Sequence, residues 1–341
     1  MTPLAPAPAP ATSYVDGFDR HIDYLRVSVT DRCNYRCAYC MGETPVFLPK
    51  RELLSLEEID RLATIFVAGG VRRLRLTGGE PLARRGLVGL AKSLSRHIVA
   101  GDLDEITLTT NGSLLAEHAA ALFDAGVRRV NVSLDTLDAE VFAGVTRGGR
   151  LSDVLRGLEA ARAAGLGIRL NAVVMAGLNE GAIEDLVLFA HHRDMSIALI
   201  EAMPIGRTNR DTSRRYVPLS RIRAALERRW TLVDLPGRSH GPARYVQVEE
   251  TGGRLGFITP MSHGFCQDCN RVRVTADGRL ATCLGRADGV DLKPLLRSTA
   301  SDDPVRQAIA AAIARKPKGH VFDATRPDLG GVDRAMWSTG G

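Results

Sequence analysis

No run of residues in this chain is apolar for long enough to span a membrane. The first twenty residues lack a charged region followed by an apolar one, which excludes a secretory signal. Their Ala-Pro alternation reads instead as a polyproline-like disordered tail, 1–20, and a cytoplasmic setting follows. Strong charge of one sign is also missing. Lys and Arg number 45 against 39 Asp and Glu, a net +6 spread along the 341 residues. That mild excess fits a solvated basic surface or an anionic substrate, and it does not call for nucleic acid. Cysteine is sparse too, with only six residues and none left over once they are grouped in threes. Neither trio has a fourth thiol, and three thiols cannot all pair as disulfides. In a cytosolic chain, clustered cysteines are more often metal ligands or redox groups. Hydrophobic content of 45% supplies an ample core without staples.

The present elements alternate. Short β-branched runs at 24–30, 72–77, 105–110, 128–134, 168–174 and 197–203 read as strands. Between them, 55–69, 86–100, 114–125, 138–145, 152–165 and 180–193 carry apolar residues at helical spacing, and several end near Gly. Ser55 with Glu58 is a capping box, and Ser152 offers another cap. Six βα units predict a parallel sheet with right-handed crossovers. Polar groups recur at the strand ends: Thr30-Asp31, Thr77 to Glu80, Thr109 to Asn111, Ser133 to Asp135, Asn171 and Glu201. That recurrence favours a partial TIM-type α/β barrel over an open doubly wound sheet, because barrels build their chemistry on that rim. The barrel is expected over 21–204. A mixed α+β extension is expected over 205–341, with a helix at 219–229, strands at 243–248, 254–258, 271–275 and 279–282, a turn at Asp277-Gly278 and a helix at 303–316.

The first trio, Cys33, Cys37 and Cys40, reads C-x3-C-x2-C directly after the first strand. One loop with this spacing can wrap a cubane cluster and leave one iron open. A structural zinc would recruit a fourth Cys or His, which this loop does not offer. Thr77-Gly78-Gly79-Glu80-Pro81 closes the second strand. Its glycines permit close approach of a ligand, and Glu80 offers a carboxylate to an ammonium group. The second trio, Cys266, Cys269 and Cys283, reads C-x2-C-x13-C. By ligand count alone it fits zinc completed by His263 as well as it fits an open cluster. Arg271 and Arg273 alternate beside it, placed either to grip phosphate or to face solvent.

C-x3-C-x2-C with GGEP resembles the radical S-adenosylmethionine (SAM) superfamily. The fuller set LRVSVTDRCNYRCAYCM, RLRLTGGEPL, TLTTNG, VNVSLD, IEAMPIG and FCQDCNRVRVTADGRLATCL, with Gly340-Gly341, resembles the GTP 3′,8-cyclases of molybdenum cofactor biosynthesis from about Tyr24 to the last residue. The resemblance implies two [4Fe–4S] clusters, one per trio, with SAM on the first and GTP as substrate. It implies a 5′-deoxyadenosyl radical that abstracts the 3′ hydrogen of GTP. The ribose radical then attacks C8 and gives 3′,8-cyclo-7,8-dihydro-GTP. Cys33, Cys37 and Cys40 would be catalytic. Tyr39, Gly78, Gly79, Glu80, Ser133 and Met203 match SAM-binding positions. Arg26, Arg75, Thr109, Arg169, Arg271 and Arg273 match GTP-binding positions, although some relatives carry Lys in place of Arg169. The second cluster would hold the purine through its open iron, and the Gly-Gly end would reach the active site. A downstream cyclic pyranopterin monophosphate synthase would take the product, and the electron donor is unspecified. The chain would be a monomer or a homodimer. Two alternatives are a peptide-modifying radical SAM enzyme, which usually carries more auxiliary cysteines, and a zinc- or cluster-bearing interaction module.

Overall fold

The computed structural model describes residues 13–42, 44–205, 214–236, 241–322 and 336–339. The Ala-Pro stretch 1–12 and Gly340-Gly341 lie outside the described residues. Six strands, β1 (Tyr24–Ser28), β2 (Arg73–Thr77), β3 (Glu105–Thr110), β4 (Arg129–Ser133), β5 (Gly167–Val174) and β6 (Ser196–Glu201), pair in parallel in sequence order. Helices α1 (Leu56–Ala68), α2 (Leu87–Leu94), α3 (Arg96–Val99), α4 (Leu115–Asp124), α5 (Ala139–Thr146), α6 (Leu151–Ala163) and α7 (Ile183–His191) connect them. The expected βα order is therefore present. All five residues of β1 are buried, as a strand covered on both faces requires.

Local chemistry sets the helix ends. The Ser55 hydroxyl accepts from the Glu58 amide at 3.1 Å, and the Glu58 carboxylate accepts from the Ser55 amide at 2.7 Å. Asp138 caps α5 by accepting from the amides of Glu140 and Val141. The helix expected as one piece over 86–100 is two, α2 and α3, divided at Ser95, whose hydroxyl donates back to the Lys92 carbonyl. Gly157 of α6 packs directly on the loop before α4; a Cβ there would lie 2.4 Å from the Gly112 carbonyl oxygen.

The extension departs further from its sequence pattern. Strand β9 (Arg254–Ile258) pairs in parallel with β6, and β10 (Arg271–Val274) pairs in parallel with β1. The parallel run thus reads β10-β1-β2-β3-β4-β5-β6-β9. Antiparallel strands β11 (Arg279–Ala281) and β12 (Val290–Asp291) extend one end, and β8 (Arg244–Val248) and β7 (Leu232–Asp234) the other. Both β7 and β12 are additional to the expected strands. The stretch 259–270 leaves the β6 side and re-enters beside β1, carrying Cys266 and Cys269 across.

Two buried anchors hold this arrangement. Residues 13–20, expected in the disordered tail, pack onto the fold: Tyr14, Asp16 and Arg20 are all buried, and Val15 bridges to His21. At the other edge Glu201 ends β6 fully buried. Its carboxylate accepts from the amides of Leu219, Met261 and Ser262 and from the Ser262 hydroxyl. These donors come from two separate segments, so one side chain fixes where the crossing stretch begins. Glu201→Ala would leave several buried amides unsatisfied, each costing about 1–3 kcal/mol before relaxation. We expect a loss of about 3 kcal/mol in urea unfolding, and an unchanged midpoint would show the anchor to be dispensable.

Candidate active site

The first trio sits in the loop after β1, pressed against the glycine loop after β2. The amides of Gly79 and Glu80 donate to the carbonyls of Thr30 and Arg32 at 2.8 Å each. A Cβ on Gly79 would lie 2.4 Å from the Arg32 carbonyl oxygen, so only glycine permits this approach. Arg36 and Ala38 donate their amides to Thr146 and Val145 at the end of α5, which closes the loop's far side. Cys33, Cys37 and Cys40 are half-buried and reduced. The Tyr35 amide donates to the Cys33 sulfur at 3.4 Å, and the Asn111 amide group approaches it at 3.8 Å. Burial pushes the Cys40 thiol up to about 12. Burial also raises Cys37 well above its ordinary value, with Cys40, Asp135 and Cys33 adding to the shift. Three packed thiols resist ionising together, and iron is the partner that would hold all three as thiolates. Among the described residues, no three His, Cys, Asp or Glu side chains surround a single metal-ion position. A cubane takes each thiolate on its own iron, so its donors surround a cluster rather than one ion. The donor set and the glycine cradle fit a cluster with one open iron.

Glu80 is turned inward. It is fully buried and accepts from the amides of Leu82 and Asn111 and from the Thr110 hydroxyl, at 2.7–3.0 Å. Burial holds its carboxyl up at about 7. The side chain therefore ties the ends of β2 and β3 together, and the glycine backbone forms the surface beside the cysteines. Tyr39 is positioned by a group that the sequence did not single out for this role. Its hydroxyl donates to Asp135 Oδ2 at 2.9 Å, while Oδ1 accepts from the Val173 amide at 2.8 Å. Asp135 lies at the end of β4, and only its place on the rim hinted at a role. Ser133, two residues earlier, pairs in register with Asn171.

The second trio shares one cavity with Arg26, Arg75, Arg169, Arg271 and Arg273. Register explains the gathering. Arg273, Arg26 and Arg75 stand side by side across β10, β1 and β2, with Arg271 opposite Tyr24. Met203, matched to SAM, also lines this cavity, whereas Tyr39 opens onto a separate one with Met175 and Arg215. Thr109 does not line the second cavity; among the described residues its buried hydroxyl has no hydrogen-bond partner, and its register partner Asn131 is the neighbour of Arg169. Burial, then the charges of Arg273 and Arg75, pushes Arg26 well below its ordinary value. Burial, with Arg169 among the lesser causes, takes Arg75 down to about 10, and burial with Arg271 does the same to Arg273. Arginine stays protonated in proteins, so these shifts reflect first the cost of burying the guanidinium groups and second their mutual repulsion. Among the described residues neither Arg75 nor Arg169 forms an ion pair. Arg75 bonds the Thr107 hydroxyl and lies 5.3 Å over the Tyr24 ring, and Arg169 donates to the Tyr245 hydroxyl at 3.0 Å. Five guanidinium groups around one cavity give it the charge and the donors to hold a multiply charged anion.

His263 is not part of this group. It is exposed, its ring lies 3.3 Å from the Ser262 hydroxyl, and it faces another hollow beside Arg223 and Tyr245. The Cys3His zinc set left open by the sequence is therefore not assembled. Two further residues at the second trio gave no signal in the sequence. Lys316 contacts the Cys269 sulfur at 3.5 Å, and Arg20 donates to the Cys266 carbonyl at 2.6 Å. Burial raises the Cys269 thiol, but Arg271 and Lys316 outweigh it and bring the group down to about 7.

Two stretches of the chain match known families. Residues 27–190 match the radical SAM superfamily, and residues 195–322 match the molybdenum cofactor synthesis C family. The GTP 3′,8-cyclase of Mesorhizobium japonicum is 54% identical, over 96% of this chain and 99% of its own. That of Rhodopseudomonas palustris is 56% identical, over 100% and 98%. The chain belongs to the GTP 3′,8-cyclase family. Within the two matched segments of this family member lie the first trio with GGEP and the second trio with Lys316, respectively. Arg20 and Arg26 precede both. The Streptococcus suis SuiB structure shares the fold, with a TM-score of 0.60 at 16% identity, covering 86% of this chain and 69% of that one.

Crowded guanidinium groups make the free protein less stable than it would be without them. Arg75→Leu should raise the unfolding free energy of the ligand-free chain by about 1 kcal/mol, despite the lost bond to Thr107. A lower denaturation midpoint would show that the cluster of arginines is not under strain.

Proposed function

We propose that this chain catalyses the 3′,8-cyclisation of GTP with a [4Fe–4S] cluster at each cysteine trio. The observation that carries the reading is the meeting of the second trio with five arginines in one cavity. A guanine held near Cys266, Cys269 and Cys283 would leave its triphosphate among Arg26, Arg75, Arg169, Arg271 and Arg273. Their repulsion in the free protein would become attraction once the phosphates bind, which favours nucleotide over an uncharged ligand. Thr109 would join this set after side chains rearrange around the substrate.

When bound, the first cluster with SAM supplies a 5′-deoxyadenosyl radical. The chain's own residues orient the two partners. The Gly78-Gly79 backbone meets the methionine end of SAM, with Glu80 holding that loop in place. Tyr39, fixed by Asp135, together with Ser133 and Met203, lines the rest of the SAM site. The arginines would hold the triphosphate and so fix where the ribose lies between the two trios. The net change is loss of the 3′ hydrogen to 5′-deoxyadenosine, formation of a C3′–C8 bond and, after addition of one electron and one proton, 3′,8-cyclo-7,8-dihydro-GTP. A one-electron donor is required, and a cyclic pyranopterin monophosphate synthase would consume the product. No described helix is long and apolar enough to cross a membrane. The setting we propose is the cytoplasm, with the chain acting as a monomer or homodimer.

Anaerobic reconstitution should give about eight irons per chain. Incubation with GTP, SAM and reductant should then yield 5′-deoxyadenosine and a cyclised nucleotide together; 5′-deoxyadenosine without cyclised nucleotide would overturn the substrate. Cys266→Ser should retain SAM cleavage and lose cyclisation, whereas Cys37→Ser loses both. Arg273→Glu should weaken GTP binding at least tenfold, about 1.4 kcal/mol, and leave SAM binding within twofold. Equal losses for both ligands would contradict its phosphate contact.

A further inference from the structure

We propose that Lys316 is a positioning residue of the second site, donating to the Cys269 sulfur and raising the reduction potential of the cluster held there. The inference rests on the reading that this trio carries a cluster. Lys316 is 3% exposed. Its ammonium group has three donors and meets three acceptors: the Cys269 sulfur at 3.5 Å, the Arg271 carbonyl at 3.1 Å and the Thr282 carbonyl at 2.5 Å. Arg271 follows Cys269 by two residues, and Thr282 directly precedes Cys283. One ammonium group therefore pins both arms that carry the trio. Among the described residues it has no carboxylate partner, so its buried charge is offset by carbonyl dipoles and by the sulfur.

The neighbouring chain keeps Lys316 in place. Arg20 donates to the carbonyls of Pro317 at 2.7 Å, Lys318 at 2.9 Å and Cys266 at 2.6 Å, and its Nε bonds Asp16 at 2.6 Å. Asp16 neutralises Arg20, whereas Lys316 donates to a trio sulfur, with Arg271 and Arg273 as further cations beside the trio. Gly319 completes the wrap: a Cβ there would already be 3.4 Å from the Cys266 sulfur. Hydrogen bonds to cluster sulfurs and nearby charge set cluster potentials. A fixed cation favours the reduced state, which carries one more negative charge.

The test uses the full chain with Cys33, Cys37 and Cys40 all changed to Ala, so that the second cluster alone is read. Iron is counted after anaerobic reconstitution, and the midpoint is measured by redox titration followed by electron paramagnetic resonance. The parent should hold about four irons. Lys316→Met should shift the midpoint to lower potential. Lys316→Gln, which keeps a donor without the charge, should shift it the same way by less, and it decides the matter if the Met variant does not load. A lower iron count with an unchanged midpoint would mean that Lys316 only braces the strands, and the proposal fails alone. A parent that takes up no iron overturns the cluster reading itself, and the proposal with it.

Discussion

The pairing of β9 with β6 and of β10 with β1 is the constraint on which the rest depends. Six βα units by themselves leave a sheet with two bare edges and a rim of loops. The C-terminal strands cover both edges, and the stretch between them must then cross from one side to the other. That crossing places Cys266 and Cys269 opposite the inner face of the sheet. Register does the rest. A parallel ladder sets Arg273 beside Arg26 and Arg26 beside Arg75, so cations far apart in sequence become a row. Glu201 at one side and the Arg20–Asp16 pair at the other fix the two ends of the crossing.

The two trios sit in opposite electrostatic settings. The first gathers thiols near the buried carboxylates Glu80 and Asp135, and every thiol is driven toward its neutral form. The second sits beside guanidinium groups and Lys316, which pull Cys269 toward its charged form, while burial raises Cys283. The free protein therefore holds negative charge in reserve at one end and positive charge at the other. A positive ligand such as the sulfonium of SAM suits the first environment, and an anionic ligand suits the second.

Much of this was legible in the sequence, and the reasons for what was not are specific. Period-two and helical patterns placed six strands and their helices within a few residues. The cysteine spacing and GGEP marked the first site. Arg271 and Arg273 were identified, but their strand looked like half of an antiparallel hairpin with β11. Nothing local in RVRV reveals that its other edge lies against β1. Lys316 and Arg20 were missed for the same reason: each acts on residues distant in the chain, and a lone Lys at a helix end or a lone Arg before a strand has a plain local explanation. Glu80 carries a role that its motif did not announce. The motif suggested a ligand contact, and the buried carboxylate also ties the ends of β2 and β3 together. His263 was adjacent in sequence to the second trio yet faces away from it, because neighbouring residues in a turn point to different sides.

The position of β10 also dictates an order of assembly. Arg20 and Cys266 lie 246 residues apart, and the ladder that follows them joins the start of the chain to its last quarter. β1 is among the first elements to leave the ribosome and gains its second neighbour among the last. Throughout synthesis it presents an unpaired edge, the kind of surface that invites wrong partners. Contacts of such long span form slowly, because loop closure precedes any gain from pairing. The half of the molecule that carries the first trio can thus take shape early, while the arginine-lined cavity exists only once β10 has paired with β1.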